Sequence, residues 1–412
     1  MTIADKEKAL RGEGYAVGTI FALNGALYGT WFARVPDAAD RTHSSPGVLG
    51  LTLLSIALGA IVSMPFAGRL CARIDSRYIV ITAAALNCLS LPLLAVATSP
   101  LTLALALALY GVGAGSTDVS MNTNAVAAIR RAGRPLMPLF HGAFSVGGMI
   151  GAATGGLAAA HVGLGRHFMV GAVIGLAILG LAARWLPPDP PVSKAAMPAD
   201  QPQAPRIRRF DGTIAVLGAV AFCSAVGEGA MGDWSALFMR NVLDTTAGLA
   251  AAGYAAFSLT MAAGRFAGTA VLLRLGPART LISGCALATV GVLAVVLAPV
   301  PAVALVGFAT VGAGLAYGFP IALNAAGAHP SGSGPAIGLV STIGYAGFVA
   351  GPPVIGLVAQ WADLRVGLGV VAVASVAGLL LAVTHRQLLQ EADPSRTAVT
   401  AAVPRPLESP DG

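Results

Sequence analysis

The chain has 412 residues, of which 56% are hydrophobic and only 10% charged, with a mean hydropathy of +0.77. Soluble domains run near a quarter charged and under half apolar, so a soluble domain is excluded. The formal net charge is +7, and the four cysteines (Cys71, Cys88, Cys223, Cys285) stand singly, with no spacing suited to a disulfide framework or a metal site.

Apolar runs of about 20 residues recur along the whole length, each long enough to cross the bilayer core as a helix. No ten-residue blocks of alternating polarity occur, so an outer-membrane barrel is not expected. The first six helices are predicted over 15–34, 47–68, 78–98, 101–129, 140–160 and 166–186. The first is too long for a cleaved signal peptide and has no small-residue cleavage site before Arg34. Then comes PPDPPVSKAAMPADQPQAPRIRRF, residues 187–210, with seven of the 26 prolines. Such a stretch is extended and carries nothing to bury, so it reads as a linker. Six further helices are predicted over 211–240, 247–272, 278–299, 301–325, 335–359 and 364–386, and a polar, disordered tail over 387–412. The fold expected is an all-α membrane protein of twelve transmembrane helices in two six-helix halves, 15–186 and 211–386, with a short leading segment, 1–14.

Twelve spans alternate sides and sort the basic residues. Of the 25 Lys and Arg, all but Arg34, Arg41, Arg166, Arg240 and Arg365 fall on one side. The positive-inside rule makes that side, with both termini, cytoplasmic. The basic excess is therefore a topology signal and nucleic acid is not a partner.

The halves resemble each other. SVGGMIGAATGGLAAA (145–160) overlays YAGFVAGPPVIGLVAQ (345–360) at an offset of 200, and GVGAG (111–115) recurs as TVGAG (310–314). AGRL (67–70) recurs as AGRF (263–266), GTW (29–31) as GDW (232–234), and Asn124 as Asn324. Two repeated six-helix halves are a transporter plan, with the substrate site near the midplane between them.

On these features the chain resembles the major facilitator superfamily (MFS), over residues 12–390. WFARVP (31–36), DVSMN (118–122), GRPLMPLFHGAFSVGG (133–148) and GEGAMGDWS (227–235) resemble, within it, a bacterial branch loosely grouped with fucose-permease-like sugar transporters. AGRLCARIDSR (67–77) resembles the family's loop between helices two and three, which implies a conformational latch formed by Gly68, Arg69, Arg73, Asp75 and Arg77, with Gly264 and Arg265 in the second copy. The loop's usual acid is replaced by Ala72, and none follows in GRFAGT (264–269), leaving Asp75 as the substitute.

An ionisable group in hydrocarbon costs several kcal/mol, roughly, unless it faces a partner or water. Of the acids only Asp118, Glu228 and Asp233 fall inside spans. Asp118 and Asn122 stand four apart on a helix face shared with Gly111 and Gly115, near mid-bilayer. Glu228 lies past the midplane between Gly227 and Gly229, which permit close packing or local unwinding. The resemblance implies that helices one, four, seven and ten line the cavity, so Asp118 and Glu228 face it from opposite halves. Asp233 lies nearer the outer end, as a gate or cap. His141 is placed to relay protons or to pack with one hydrogen bond. Trp31 and Trp234 read as interfacial belt residues, with sugar stacking as the alternative. Asn24, Tyr28, Tyr254 and Tyr317 are polar cavity candidates. Arg34 has Asp37, Asp233 or an incoming anion as candidate partners, or is a flanking charge. No Lys or Arg is expected at mid-depth, which suits a neutral or cationic solute.

The function expected is secondary active transport of a small polar solute across a bacterial inner membrane, as proton-coupled uptake by a monomer. Its partners are the solute, protons and the lipid bilayer. Proton-antiport efflux and a non-transporting sensor are the alternatives. No HExxH, GxSxG or phosphate-binding glycine loop occurs, so no catalytic residue, metal or cofactor is expected.

Overall fold

A computed structural model describes residues 3–133, 136–189, 211–327 and 333–391. The linker from 190 to 210 and the tail from 392 onward lie outside the described residues. Within them the chain is helical: α1 (Ile3–Thr42), α2 (Pro46–Cys71), α3 (Ser76–Val96), α4 (Pro100–Ala132), α5 (Met137–Ala159), α6 (Leu164–Ala183), α7 (Gly212–Asn241), α8 (Ala247–Val296), α9 (Pro301–Leu315), α10 (Gly318–Gly327), α11 (Ser333–Trp361), α12 (Leu364–Thr384) and α13 (Arg386–Glu391). The last is a short helix at the start of the stretch expected as tail.

Local chemistry sets the ends. Ser99 and Thr102 form a reciprocal capping box at the start of α4, and Gly133, at φ 63°, closes that helix in the left-handed region. Asp75, Thr246 and Asp363 cap α3, α8 and α12 through their side chains. α8 holds two spans that meet at a kink. At Gly276 the backbone turns to φ 74°, ψ 164°, a region open essentially to glycine alone, and Pro277 follows. The tenth span is likewise two pieces, α9 and α10, parted at Ala316–Tyr317.

Among the described residues ten segments are long and apolar enough to cross a membrane, α8 counting once and α9 with α10 once. Dividing α8 at Gly276 and adding the more charged α1 makes twelve. α1 extends eight residues past the predicted boundary at 34, which moves every residue near that boundary inward.

Glu13 of α1 pairs with Arg131 at the close of α4, and Gly12 lies against Trp185 after α6. Leu389 of α13, which packs on α8, belongs to the same hydrophobic cluster as Ile214 and Leu217 at the start of α7. Both chain ends therefore lie at one end of the bundle, the termini end. The opposite is the far end.

The halves repeat in three dimensions. A Cβ on Gly147 of α5 would strike the Ala22 carbonyl of α1, and one on Gly347 of α11 would strike that of Phe222 in α7. Gly151 meets Ala26, and Gly351 meets Val226. All four pairs keep the offset of 200. In the other helix pair, Gly111 meets Ile56 and Gly312 meets Phe257, an offset of 201. Two repeat assignments made from sequence are corrected by this register. GTW and GDW are not equivalent, because 29–31 corresponds to 229–231. AGRF is not the counterpart of AGRL, because Arg265 corresponds to Met64 and the true equivalent of the α2–α3 turn is the break at Gly276.

Across the seam α2 packs on α11 and α5 on α8, with α1 against α7. One hydrophobic cluster joins both halves, from Trp31 and Phe168 to Trp234, Phe238 and Phe257. At the termini end the second half keeps a separate cluster of its own, around Leu217, Leu281, Ile321 and Val340.

Candidate functional site

Asp118 sits in the middle of α4, half-buried. The Asn122 side-chain amide donates both to its carbonyl oxygen (2.8 Å) and to its carboxylate (3.2 Å), so the i, i+4 spacing has formed a local bond. The Tyr345 hydroxyl of α11, in the other half, stands close to the same carboxylate. Asp118 thus has neighbours in both halves. Sequence reading missed Tyr345, whose signal was its place one turn before Phe348 in a glycine-rich span.

Glu228 has a cation beside it. Arg265 of α8 donates to its carboxylate at 3.0 Å, and donates again to the Ser145 hydroxyl of α5 at 2.9 Å. This corrects the expectation that no Lys or Arg stands at mid-depth. It also removes Gly264 and Arg265 from the latch: α8 continues eleven residues beyond Arg265 before breaking at Gly276, about 16 Å at helical rise. α7 runs unbroken through Gly227 and Gly229, so there is no local unwinding there. Gly227 packs against Leu315, and Gly229 against Phe348.

Asp233 is 7% exposed and has neither a hydrogen bond nor an ion pair among the described residues. Gly232 rests on the Phe32 ring, and Phe32 meets Tyr254 of the other half with centroids 4.8 Å apart. Tyr28 stacks on Phe32 at 5.7 Å and meets Tyr110 and Phe144.

Other candidates lie elsewhere. Asn24 turns into the first half, where it accepts from Asn87 (3.1 Å) and approaches the Met121 sulfur. His141 sets its ring edge-on to Phe21 at 5.4 Å. Tyr317, at the break between α9 and α10, lies against Gly264 and Gly268 of α8. Trp31 and Trp234 are fully buried, which corrects the belt reading: α1 runs about three turns past Trp31 and α7 about two past Trp234. Asn124 donates to Ser76 Oγ and the Pro187 carbonyl, binding the end of α4 to its neighbours, whereas Asn324 is exposed.

Two charged clusters remain. At the far end Arg34, 3% exposed, pairs with Asp37, donates to the Val162 carbonyl and approaches His167 Nδ1. Asp37 also accepts from Arg240 of α7 at 2.9 Å, and Arg240 reaches Asp40 at 3.0 Å. Ion pairs therefore join the halves at this end. At the termini end Asp75 pairs with Arg77 beside it, Arg69 lies over Phe66, and Arg73 and Gly68 make no ionic contact. Among the described residues no ion pair there crosses between halves.

The family model of the Major Facilitator Superfamily matches residues 16–334. The chain belongs to that superfamily. It is 35% identical to an uncharacterized MFS-type transporter of Yersinia pestis, over 85% of this chain and 90% of the relative. It is 33% identical to an uncharacterized transporter of Sinorhizobium fredii, over 85% and 92%, and 30% identical to the membrane protein MosC of Rhizobium meliloti, over 86% and 84%. Its fold is similar to that of a bacterial homolog of the human lysosomal transporter Spinster (TM-score 0.75, 16% identity, 95% of this chain and 99% of that one). A variant of the nucleoside transporter NupG is also similar (TM-score 0.72, 16% identity, 91% and 99%). The chain is an all-helical, multi-pass membrane protein of a transporter superfamily, and not an enzyme.

Proposed function

We propose that this chain moves a small polar solute, neutral or cationic, across the bacterial inner membrane by proton-coupled uptake with alternating access. The observation that carries the reading is a carboxylate from each half at mid-depth, Asp118 and Glu228, each engaged by a group on a different helix. Tyr345 reaches Asp118 across the seam, and Arg265 joins Glu228 to Ser145. A proton on Glu228 removes the charge that holds Arg265, so loading and the fit between halves are linked. Arg265 offsets one acid and leaves Asp118 and Asp233 without a cation, which favours a neutral or positively charged solute over an anion.

With the termini in the cytoplasm, as the basic residues suggest, the joined far end faces outward. The nucleoside transported by NupG is not carried over, since 16% identity speaks for fold alone.

The test uses purified protein in liposomes. A melting-temperature screen of sugars, polyols, nucleosides and cationic drugs selects a solute. Accumulation under an imposed pH gradient is then compared with solute exchange at equal pH. Asp118→Asn or Glu228→Gln should abolish accumulation while leaving exchange. If both variants accumulate solute like the parent, proton coupling through these acids is wrong.

A further inference from the structure

Every nitrogen of the buried Arg34 guanidinium is committed. Nε donates to Asp37, Nη2 to the Val162 carbonyl (3.3 Å), and Nη1 to that carbonyl (3.2 Å) and to His167 Nδ1 (3.4 Å). A guanidinium has no lone pair to offer, so Nδ1 is the acceptor and His167 is neutral in this arrangement. Packing fixes the ring there: it lies against Gly155 of α5 and beside Phe168. His167 is only half-buried, next to the exposed Arg166 at the far-end start of α6.

Asp37 carries the consequence across the seam. Its other oxygen accepts from Arg240 of α7 at 2.9 Å, and Arg240 also reaches Asp40 at 3.0 Å. The closed far end thus sets two cations, Arg34 and Arg240, against two acids. The remaining ionisable groups around His167 are few. His161 and Arg166 are exposed, Arg41 of α1 donates to the Ala97 carbonyl, and Asp233 lies two turns deeper on α7. α3 and α5 carry Arg77 and His141 at their termini ends and no charged side chain near Gly155.

A proton on Nδ1 turns this acceptor into a donor aimed at a guanidinium, with two positive charges 3.4 Å apart. Repulsion at that distance in a partly buried site is several times the thermal energy. The counter-ion within reach is Asp37, held by the same guanidinium. We propose that a proton on His167 releases the far-end closure: the imidazolium takes Asp37 as its counter-ion, Arg240 gives it up, and the halves part at that end. The closed form admits His167 only as the neutral ring. The open form, with Arg240 withdrawn and Asp37 free, admits both states. Proton binding therefore favours opening, increasingly so below about pH 6.5, where an unconstrained imidazole takes up its proton. The inference concerns closure and holds whichever solute is moved.

The test reads far-end opening directly. Full-length protein, its four native cysteines replaced, carries spin labels at Thr98 and Pro299, exposed far-end positions of the two halves. In lipid nanodiscs the distance between them is measured by pulsed electron paramagnetic resonance from about pH 8 to about pH 5. The long-distance population should rise below about pH 6.5, by up to about tenfold per pH unit, the slope of one proton. His167→Asn keeps an acceptor but takes no proton, so it should stay closed throughout. His167→Lys carries the charge permanently and should be open even at the alkaline end. In Arg240→Met there is no tie left to release, so the pH response should vanish. Asp118→Asn and Glu228→Gln should keep the parent's response. Melting temperature checks that each variant folds; should His167→Lys fail to, the parent and His167→Asn decide.

Parent distances that ignore pH, a His167→Asn variant that follows the parent's profile, a folded His167→Lys variant as closed as the parent, or an undiminished response in Arg240→Met would each overturn the proposal. A response lost in Asp118→Asn or Glu228→Gln and kept in His167→Asn would give the pH dependence to the mid-depth acids. That result would end this inference and leave the transport reading in place.

Discussion

Glu228 occupies in the second half the place that Tyr28 occupies in the first. Ala22 and Phe222 meet equivalent glycines, as do Ala26 and Val226, and both α1 and α7 continue unbroken past residue 28 and residue 228. By the 201 offset of the other helix pair, Asp118 corresponds to Phe319. Neither mid-depth acid has an acidic counterpart, so each breaks the symmetry of the repeat.

The break at Glu228 is tied to Arg265, which predicts a definite stability pattern. Arg265→Met leaves a partly buried carboxylate without its cation and should lower stability by about 2 kcal/mol. Adding Glu228→Gln to that variant should recover most of the loss, because no charge is then stranded. Melting temperatures of the two singles and the double check this. A double variant no better than the sum of its singles would mean that the pair is not energetically coupled.

The far-end ion pairs predict a shift in conformation. Arg240→Met removes both bonds to α1 and should weaken the joint between halves. In a protein whose four native cysteines are replaced, a reporter cysteine at Ser258, in the α5–α8 seam, should then label faster from the far side. An unchanged rate would assign no part in closure to Arg240.

Asn124 and Asn122 should separate cleanly. Asn124→Ala loses the bonds to Ser76 and Pro187 and should lower the melting temperature while leaving the coupling of solute to protons intact. Asn122→Ala removes a donor from the Asp118 carboxylate and should alter the pH dependence of transport instead. Transport measured across a pH series for both variants distinguishes them.

Gly276→Ala should cost about 1–3 kcal/mol, because φ 74° with ψ 164° is closed to a residue with a side chain. Expression level and melting temperature read the loss. Gly180→Ala, where nothing lies within 4 Å of the added carbon, serves as the comparison and should be nearly silent.

The helical plan was legible because hydrophobic runs of membrane length need no tertiary information. The two acids at mid-depth were legible for the same reason: a charge inside such a run is conspicuous. Arg265 was not, because AGRF mimics AGRL by composition and drew it into a loop. The Gly276–Pro277 dipeptide, the stronger turn signal, marks where that helix ends. Trp31 was placed at an interface because α1 was read too short; α7 was read to within a residue, and Trp234 was misplaced because the packing of other helices around it is not visible in local pattern. Tyr345 escaped notice since its partner comes from the other half, and a pairing across 227 positions leaves no trace in local pattern.

The Asp189 carboxylate accepts from both the backbone N–H and the hydroxyl of Ser76, each at 2.6 Å, and Pro187 receives Asn124 alongside. The first half is thereby stitched back onto itself before the chain leaves for the second. A cut after residue 189 severs none of these bonds, and the surfaces by which the halves recognise one another, α2 with α11 and α5 with α8, lie wholly within the separated pieces. Two polypeptides made side by side from a divided gene should find each other in the bilayer through those surfaces, as partners in a heterodimer do.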